Sequence, residues 1–344
     1  MSDATTIELD AQYRQLREEC GLLDRSARGK LLVAGTEAAE LLQGQLTNDV
    51  EGLALGEGCY AALLDRKGHI QADMRVLRLP SAVPSPHIAG ERNSGREGTG
   101  GFWLDTEPEA LERVRRHLET YKIGREVQIS DHTAERAILS LIGPRSAEVA
   151  GAAVLPEYAN EAARVGGVDC LAVGTANGLD LIAGTADSQS VDLASETSHL
   201  REALTAGGAV EVGPEAVEIL RIEAGTPRFG AEMSSETMPA EAGIVEAAID
   251  FSKGCYIGQE PVARLHYKGR PNRRLRGLEL SAPAEPGAPL RLGEKEVGRL
   301  GGACVSPAHG PIGLAIVRRE AEPGAKLAVG EDGVTARVVD LPFG

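Results

Sequence analysis

The sequence predicts an α+β protein of two or three domains that ends in a small antiparallel barrel. Three observations predict it. The chain has 344 residues, more than the roughly 250 to 300 at which a single hydrophobic core stops growing. Its apolar spacing alternates between helical and strand periods as far as Arg270-Pro271. Beyond that dipeptide only short apolar strands remain, about ten residues apart, as in small antiparallel barrels.

The elements follow in order. From Gln12 to Leu22 the positions Tyr13, Leu16 and Cys20 recur at helical spacing and give an amphipathic helix ending at Gly21. GKLLVAG, residues 29–35, is a brief strand between glycines. Thr36 is placed to cap a helix through EAAELLQGQL, residues 37–46, whose Leu41, Leu42 and Leu46 face is buried. GCYAALLDRKGHIQADMRVLRL, residues 58–79, reads as a hairpin turning at Asp65 to Gly68. Residues 80–101, rich in Pro, Gly and Ser, form an exposed mobile loop before the strand FWLDT. A helix spans Glu107 to Tyr121 and EVQISD is a strand. RAILSLIGPRSAEVAGAA is strand, turn and helix, with Pro144 at the helix start. In VDCLAVGTANGLDLIAG an Asn-Gly turn joins two strands. Two helices follow, the second introduced by Pro214. The strands LRGLELS, PLRL, EVGRLGGA, GPIGLAIVRR, KLAV and TARVVDL build the barrel.

Composition bounds function. Hydrophobic residues make up 42% and charged ones 25%, which suits a globular chain with a real core. Aromatics are 3% and the formal net charge is −15. Stacking platforms of several aromatics for single-stranded nucleic acid are therefore not expected, and an acidic surface repels phosphate backbones, which weighs against nucleic acid as a partner. Five separated cysteines without a C-x-x-C pair suggest neither a disulfide framework nor a zinc knuckle, and point to a reducing compartment. The polar N-terminus and the lack of a long apolar run predict a cytoplasmic protein with no membrane span. GEGCYA, residues 56–61, imitates a dinucleotide fingerprint but precedes a strand instead of a helix. Phosphate-loop, H-E-x-x-H and G-x-S-x-G motifs do not occur.

One stretch stands out. KGCYIGQEPVARL begins at Lys253 and reads as the start of a helix, with Pro261 and Glu260 in its first turn and Glu260 four residues before Arg264. Cys255 then lies just ahead of a helix N-terminus with Lys253 two residues away, a setting that favours thiolate. The bland alternative is a buried, inert cysteine. From Lys253 to Arg276 there are seven Lys/Arg against one Glu. That segment is either a solvated linker or a docking surface for an anionic partner.

KGCYIGQE followed by VAR resembles the hallmark of the YgfZ family of folate-binding proteins associated with iron–sulfur proteins. LRIEAGTPRFG, PAEAGIVEAAIDFSKGCYIGQE, GLLDRSARGKLLVAGTEAAELLQGQLTNDV and GPIGLAIVRRE resemble the wider superfamily of the glycine cleavage T-protein, an aminomethyltransferase that binds tetrahydrofolate. The resemblance implies a three-lobed, cloverleaf architecture. Residues 1–50 and 135–250 would form a folate-binding αβ lobe and residues 51–134 a second αβ lobe. Residues 251–270 would be a motif segment and linker, and residues 271–344 the barrel.

The resemblance also implies site residues. The motif comprises Lys253, Gly254, Cys255, Tyr256, Gly258, Gln259, Glu260 and Arg264, with Cys255 as a functional thiol. T-proteins carry an acidic pair in G-x-I-x-D-D where this chain has GHIQADM, which leaves Asp73 as the catalytic carboxylate beside Ala72. Asp73, Asp180 of TANGLD, Arg221 of LRIEAG and Asn48 of LTNDV are the implied folate ligands; no metal ligands are implied. The implied cofactor is tetrahydrofolate or a related folate, and the implied partners are iron–sulfur enzymes or their assembly proteins. Three functions remain open: folate-dependent support of iron–sulfur protein maturation or repair, folate-dependent aminomethyl transfer, and a folate-regulated scaffold using Arg264 to Arg276.

Overall fold

The structure, a computed structural model, describes residues 3–80, 101–184 and 193–344. The predicted loop at 80–101 lies, apart from its two ends, outside the described residues.

Three sheets organise the chain. The first has six strands, in spatial order Val210–Glu211, Gly21–Asp24, Ala137–Ile142, Gly178–Ala183, Val168–Thr175 and Asn160–Val165. The second has five, in the order Gly58–Leu64, Ile70–Arg78, Phe102–Thr106, Gly29–Ala34 and Gln128–Asp131. The third is a seven-stranded antiparallel sheet between Arg273 and Val339. It curls on itself, so that a Cβ added to Gly298 on one strand would meet the Ile316 carbonyl of a strand elsewhere in the sheet at 2.8 Å. This is the predicted α+β, three-part architecture with a barrel-like C-terminal unit.

Strand alternation shows how the first two sheets meet. GKLLVA is buried along its whole length. Leu31 and Val33 pack towards the helices Ala38–Gln45 and Pro108–Tyr121. Leu32 between them joins Leu77, Trp103, Ile138, Val173 and Ile182, a cluster drawn from both sheets. The first sheet likewise turns Leu139, Leu141 and Leu181 towards the helix Leu193–Ala206. The two sheets therefore stack face to face, with helices outside each.

The structure revises three expectations. The chain passes between sheets after Asp24 and returns after Asp131, so Gly29–Ala34 and Ala38–Gln45, assigned by the sequence to the first lobe, belong with the second. Met233, Ala242, Ile244, Ala248 and Ile249 also pack into that second core, although 135–250 was assigned to the first lobe. A lone strand reveals its length but not its partners, which leaves such exchanges hidden. Finally, Thr36 does not cap the following helix: its hydroxyl donates to Glu126 at 2.8 Å, and Glu37 occupies the cap position.

Candidate functional site

The site grows from the polar end of the inter-sheet interface. On the strand Ile70–Arg78, Ala72, Met74 and Val76 face the helices and are fully buried. Asp73, Arg75 and Leu77 alternate with them and face the first sheet. Leu77 joins the apolar cluster, whereas Arg75 and Asp73 carry charge into the same interface.

Register brings their partners. Arg75 lies directly across from Tyr60 on one side and Asp105 on the other. Asp105, fully buried, accepts from Arg75 through Nε at 3.0 Å and through Nη2, and from Arg28. Arg28 also pairs with Glu107. Arg75 Nη1 crosses to the first sheet and donates to Asp180 Oδ2 at 2.6 Å. The two guanidinium groups hold the Asp105 carboxyl far below the usual carboxylate range despite its burial.

Asp73 is different. The Tyr60 hydroxyl donates to its Oδ2 at 2.8 Å, while its buried Oδ1 has no partner among the described residues. Burial raises the carboxyl's pKa; the Tyr60 hydrogen bond and the Arg28 charge oppose the rise. A raised carboxyl with one oxygen held and the other open is the chemistry of a group that takes up or gives a proton. Because Ala72 points to the opposite face of the strand, the missing neighbour of Asp73 would not have shared this face.

The remaining candidates divide. Asn48 donates to the Tyr60 carbonyl at 2.8 Å and the Ala247 carbonyl at 3.1 Å, so it braces the strand that carries Tyr60 and both its amide protons are used. Asp180 sits within the strand Gly178–Ala183, 2% exposed, with Arg75 on Oδ2. Arg221 is not brought to this cluster. It binds Glu218 at 2.7 and 2.8 Å and Glu232 at 2.9 and 3.1 Å, beside Gly302 of the C-terminal sheet.

The octapeptide packs on the hairpin turn at Asp65 to Gly68. Its helix, whose start was expected from the sequence, spans Gln259–Lys268, with the Glu260–Arg264 pair formed at 2.8 Å. Gly258 has φ 84°, and a Cβ there would meet the Asp65 carbonyl at 2.5 Å, so glycine is required twice over. Cys255 is exposed, four residues before the first helical residue, and not the buried cysteine of the bland alternative. Lys253 does not direct its ammonium to the thiol. It donates to the carbonyls of Gln43, Leu46 and Asn48 at 2.7, 2.6 and 2.9 Å, closing the C-terminal end of the helix Ala38–Gln45. Burial lowers its pKa to about 8. Tyr256 is buried beneath it, its hydroxyl without a partner among the described residues. For Gly254 and Gln259 no comparable constraint emerges from the packing.

Sequence reasoning missed Arg28, Tyr60, Arg75 and Asp105. A signal existed for Asp105, a charge inside the otherwise apolar strand FWLDT. Arg75 recurs two positions after Asp73 and so shares its face. Among the described residues no group of three or more His, Cys, Asp or Glu side chains is disposed to hold a metal ion. No helix there is long and apolar enough to cross a membrane.

Two stacked sheets followed by a curled antiparallel sheet define a fold class seen in aminomethyltransferases. Residues 4–83 and 95–253 match the family described as GCVT N-terminal domain, and residues 273–343 match the glycine cleavage T-protein C-terminal barrel domain. The chain belongs to the GCVT, or glycine cleavage T-protein, family. It is 30% identical over 343 residues to an aminomethyltransferase of Rubrobacter xylanophilus, covering 97% of this chain and 86% of that protein. To a putative chloroplastic transferase of Arabidopsis thaliana it is 28% identical, covering 94% and 71%. The glycine cleavage system aminomethyltransferase T from Bartonella henselae shares the fold, with a TM-score of 0.81 at 21% identity over 98% of this chain and 89% of that one.

Proposed function

We propose that this protein binds a reduced folate, tetrahydrofolate or a one-carbon derivative, at the polar end of the inter-sheet interface and acts in one-carbon transfer of the aminomethyltransferase kind. The observation that carries the reading is Asp73: a carboxyl raised by burial, oriented by Tyr60, with one buried oxygen left without a partner among the described residues. An N–H-rich heterocycle fits that acceptor. The folate supplies the nitrogen that takes up the one-carbon unit. Asp73 holds or moves a proton, Tyr60 fixes its orientation, and Asp180, itself held by Arg75, offers a second carboxylate. Calorimetric titration with tetrahydrofolate tests binding, and methylene-tetrahydrofolate formation from an aminomethyl-lipoyl donor tests transfer. Saturable binding and turnover, both impaired in Asp73→Asn, support the reading; absence of folate binding by the unaltered protein overturns it.

A second reading is favoured by a separate observation, the exposed Cys255 within KGCYIGQE. On it the chain is a YgfZ-like folate binder that supports maturation or repair of iron–sulfur enzymes through that thiol. Loss of the gene then lowers the activity of iron–sulfur enzymes and Cys255→Ala fails to restore it. Full restoration by Cys255→Ala removes the thiol from the mechanism.

A further inference from the structure

The basic stretch singled out in the sequence does not act as one surface. Arg264 is held by Glu260, and Arg273 binds Glu241 at 2.9 Å and the Glu236 carbonyl at 2.8 Å. Arg276 is held by Asp340 at 3.0 Å. What the fold does instead is add arginines from a distant segment. The strands Arg273–Leu280 and Gly310–Arg318 are antiparallel with Arg273 opposite Arg318, and the Arg319 amide donates to the Asn272 carbonyl at 2.9 Å. This register places Arg318 and Arg319 beside Arg270, Arg274 and Arg276 around a groove of about 520 Å³.

Arg270, Arg274, Arg318 and Arg319 are exposed, and their side chains make no hydrogen bond or ion pair among the described residues. Two acids line the groove, Glu320 and Glu322, and Glu320 is already paired with Lys295. In a chain with 51 acidic against 36 basic residues, five arginines against two acids at one concavity run against the composition. Like charges gathered at one concavity repel one another, and a bound anion offsets that repulsion. Guanidinium is always charged, weakly hydrated and forked to match carboxylate or phosphate. Among the described residues no aromatic side chain lines the groove to stack a base, and the chain's overall negative charge opposes a long phosphate backbone.

We propose that this groove docks an acidic segment of a partner protein, through carboxylates received by Arg270, Arg274, Arg318 and Arg319. The site is separate from the Asp73 cluster and does not depend on folate.

The test uses the full chain and a fluorescein-labelled decapeptide of alternating Asp and Glu, read by anisotropy. The peptide binds saturably, and its affinity falls as NaCl rises from about 50 to about 200 mM, where screening shortens the reach of charge. The double variant Arg274→Glu/Arg319→Glu weakens it at least about ten-fold, equivalent to roughly 1.4 kcal/mol. The second pair Arg270→Glu/Arg318→Glu does the same. Arg116→Glu, on an exposed helix of the second lobe, leaves binding unchanged, and tetrahydrofolate titration is unaltered in all variants. Absence of saturable binding, or binding by both double variants as tight as that of the unaltered chain, overturns the proposal. Tighter binding of a single-stranded RNA decamer than of the peptide at the same salt overturns it in favour of nucleic acid. Self-association in sedimentation that both double variants abolish overturns it in favour of a second copy of this chain.

Discussion

Two arginine–carboxylate clusters lie inside this protein, and each contains a residue that family resemblance assigns to the folate. Around Arg221 the polar groups are mutually satisfied: Glu232 accepts from Arg221, from the Arg228 amide at 3.0 Å and from the Gly302 amide at 2.7 Å, and Arg221 also donates to the Thr226 carbonyl. That cluster fastens the helix Pro214–Glu223 to the C-terminal sheet. Around Asp73 the same kind of chemistry leaves one buried oxygen open. Buried polar groups are ordinarily paired, so an exception in a native fold calls for an explanation, and a ligand is one. The comparison separates a structural weld from a candidate site by what each leaves unmade.

The largest effect that would sharpen this contrast is kinetic. Asp73→Asn keeps the shape and the Tyr60 contact but cannot exchange the proton, and should lower transfer by about 10²- to 10⁴-fold. Stability should move the other way. The folded-state pKa of Asp73 is raised, so the folded protein is favoured by its protonation below about pH 4 and that contribution is lost as pH rises through the folded value. Asp73→Asn is therefore expected to be the more stable protein at pH 7, with the advantage vanishing under acid. Urea melts across that range test it, and an Asn variant less stable at pH 7 would show that Asp73 is a structural acid like Glu232.

Next in size is Asp105→Ala, which strips the fully buried counter-charge from Arg28 and Arg75 and should cost about 3–5 kcal/mol in chemical denaturation. Here the sign of the pH dependence reverses. The Asp105 pKa is depressed, so its contribution is complete above about pH 4 and is lost only as pH falls well below that. Arg221→Met leaves Glu232 buried without its main counter-charge and should cost about 3 kcal/mol. Its effect on tetrahydrofolate affinity should stay within about two-fold, as for distant independent sites. A loss of affinity comparable to that of Asp73→Asn would break the contrast and return Arg221 to the ligand site.

How much of this was legible beforehand depended on how local the information was. The hairpin at 58–78 and the helix at 259–268 follow from turn residues, alternation and a charged first turn, all within one window of sequence. The division of strands between sheets did not, because GKLLVAG reads identically whichever sheet receives it. Asp73 was reached through a family motif, but that Ala72 faces away from it emerges only when the strand is placed between a helix layer and a second sheet. Arg75 and Asp105, thirty residues apart, become a pair through register alone. Lys253 was read as an electrostatic neighbour of Cys255 because two residues separate them; its long side chain reaches instead to carbonyls more than two hundred positions earlier in the chain.

The smallest stability effect concerns that last segment. Lys253→Met removes three hydrogen bonds to the Gln43, Leu46 and Asn48 carbonyls and should cost about 1–3 kcal/mol. Cys255→Ala, at an exposed position, should change stability by less than about 0.5 kcal/mol. The two therefore bracket a simple distinction. If the octapeptide exists to support the fold, the Lys253 variant alone has a phenotype. If it exists to present a thiol, Cys255→Ala abolishes function in cells while its melting curve overlays that of the unaltered protein. Maleimide labelling supplies the independent measure: Cys255 should react ahead of Cys20 and Cys170, both buried. In Lys253→Met the loop loses its anchor, and the rate at Cys255 should change without any change at the other two.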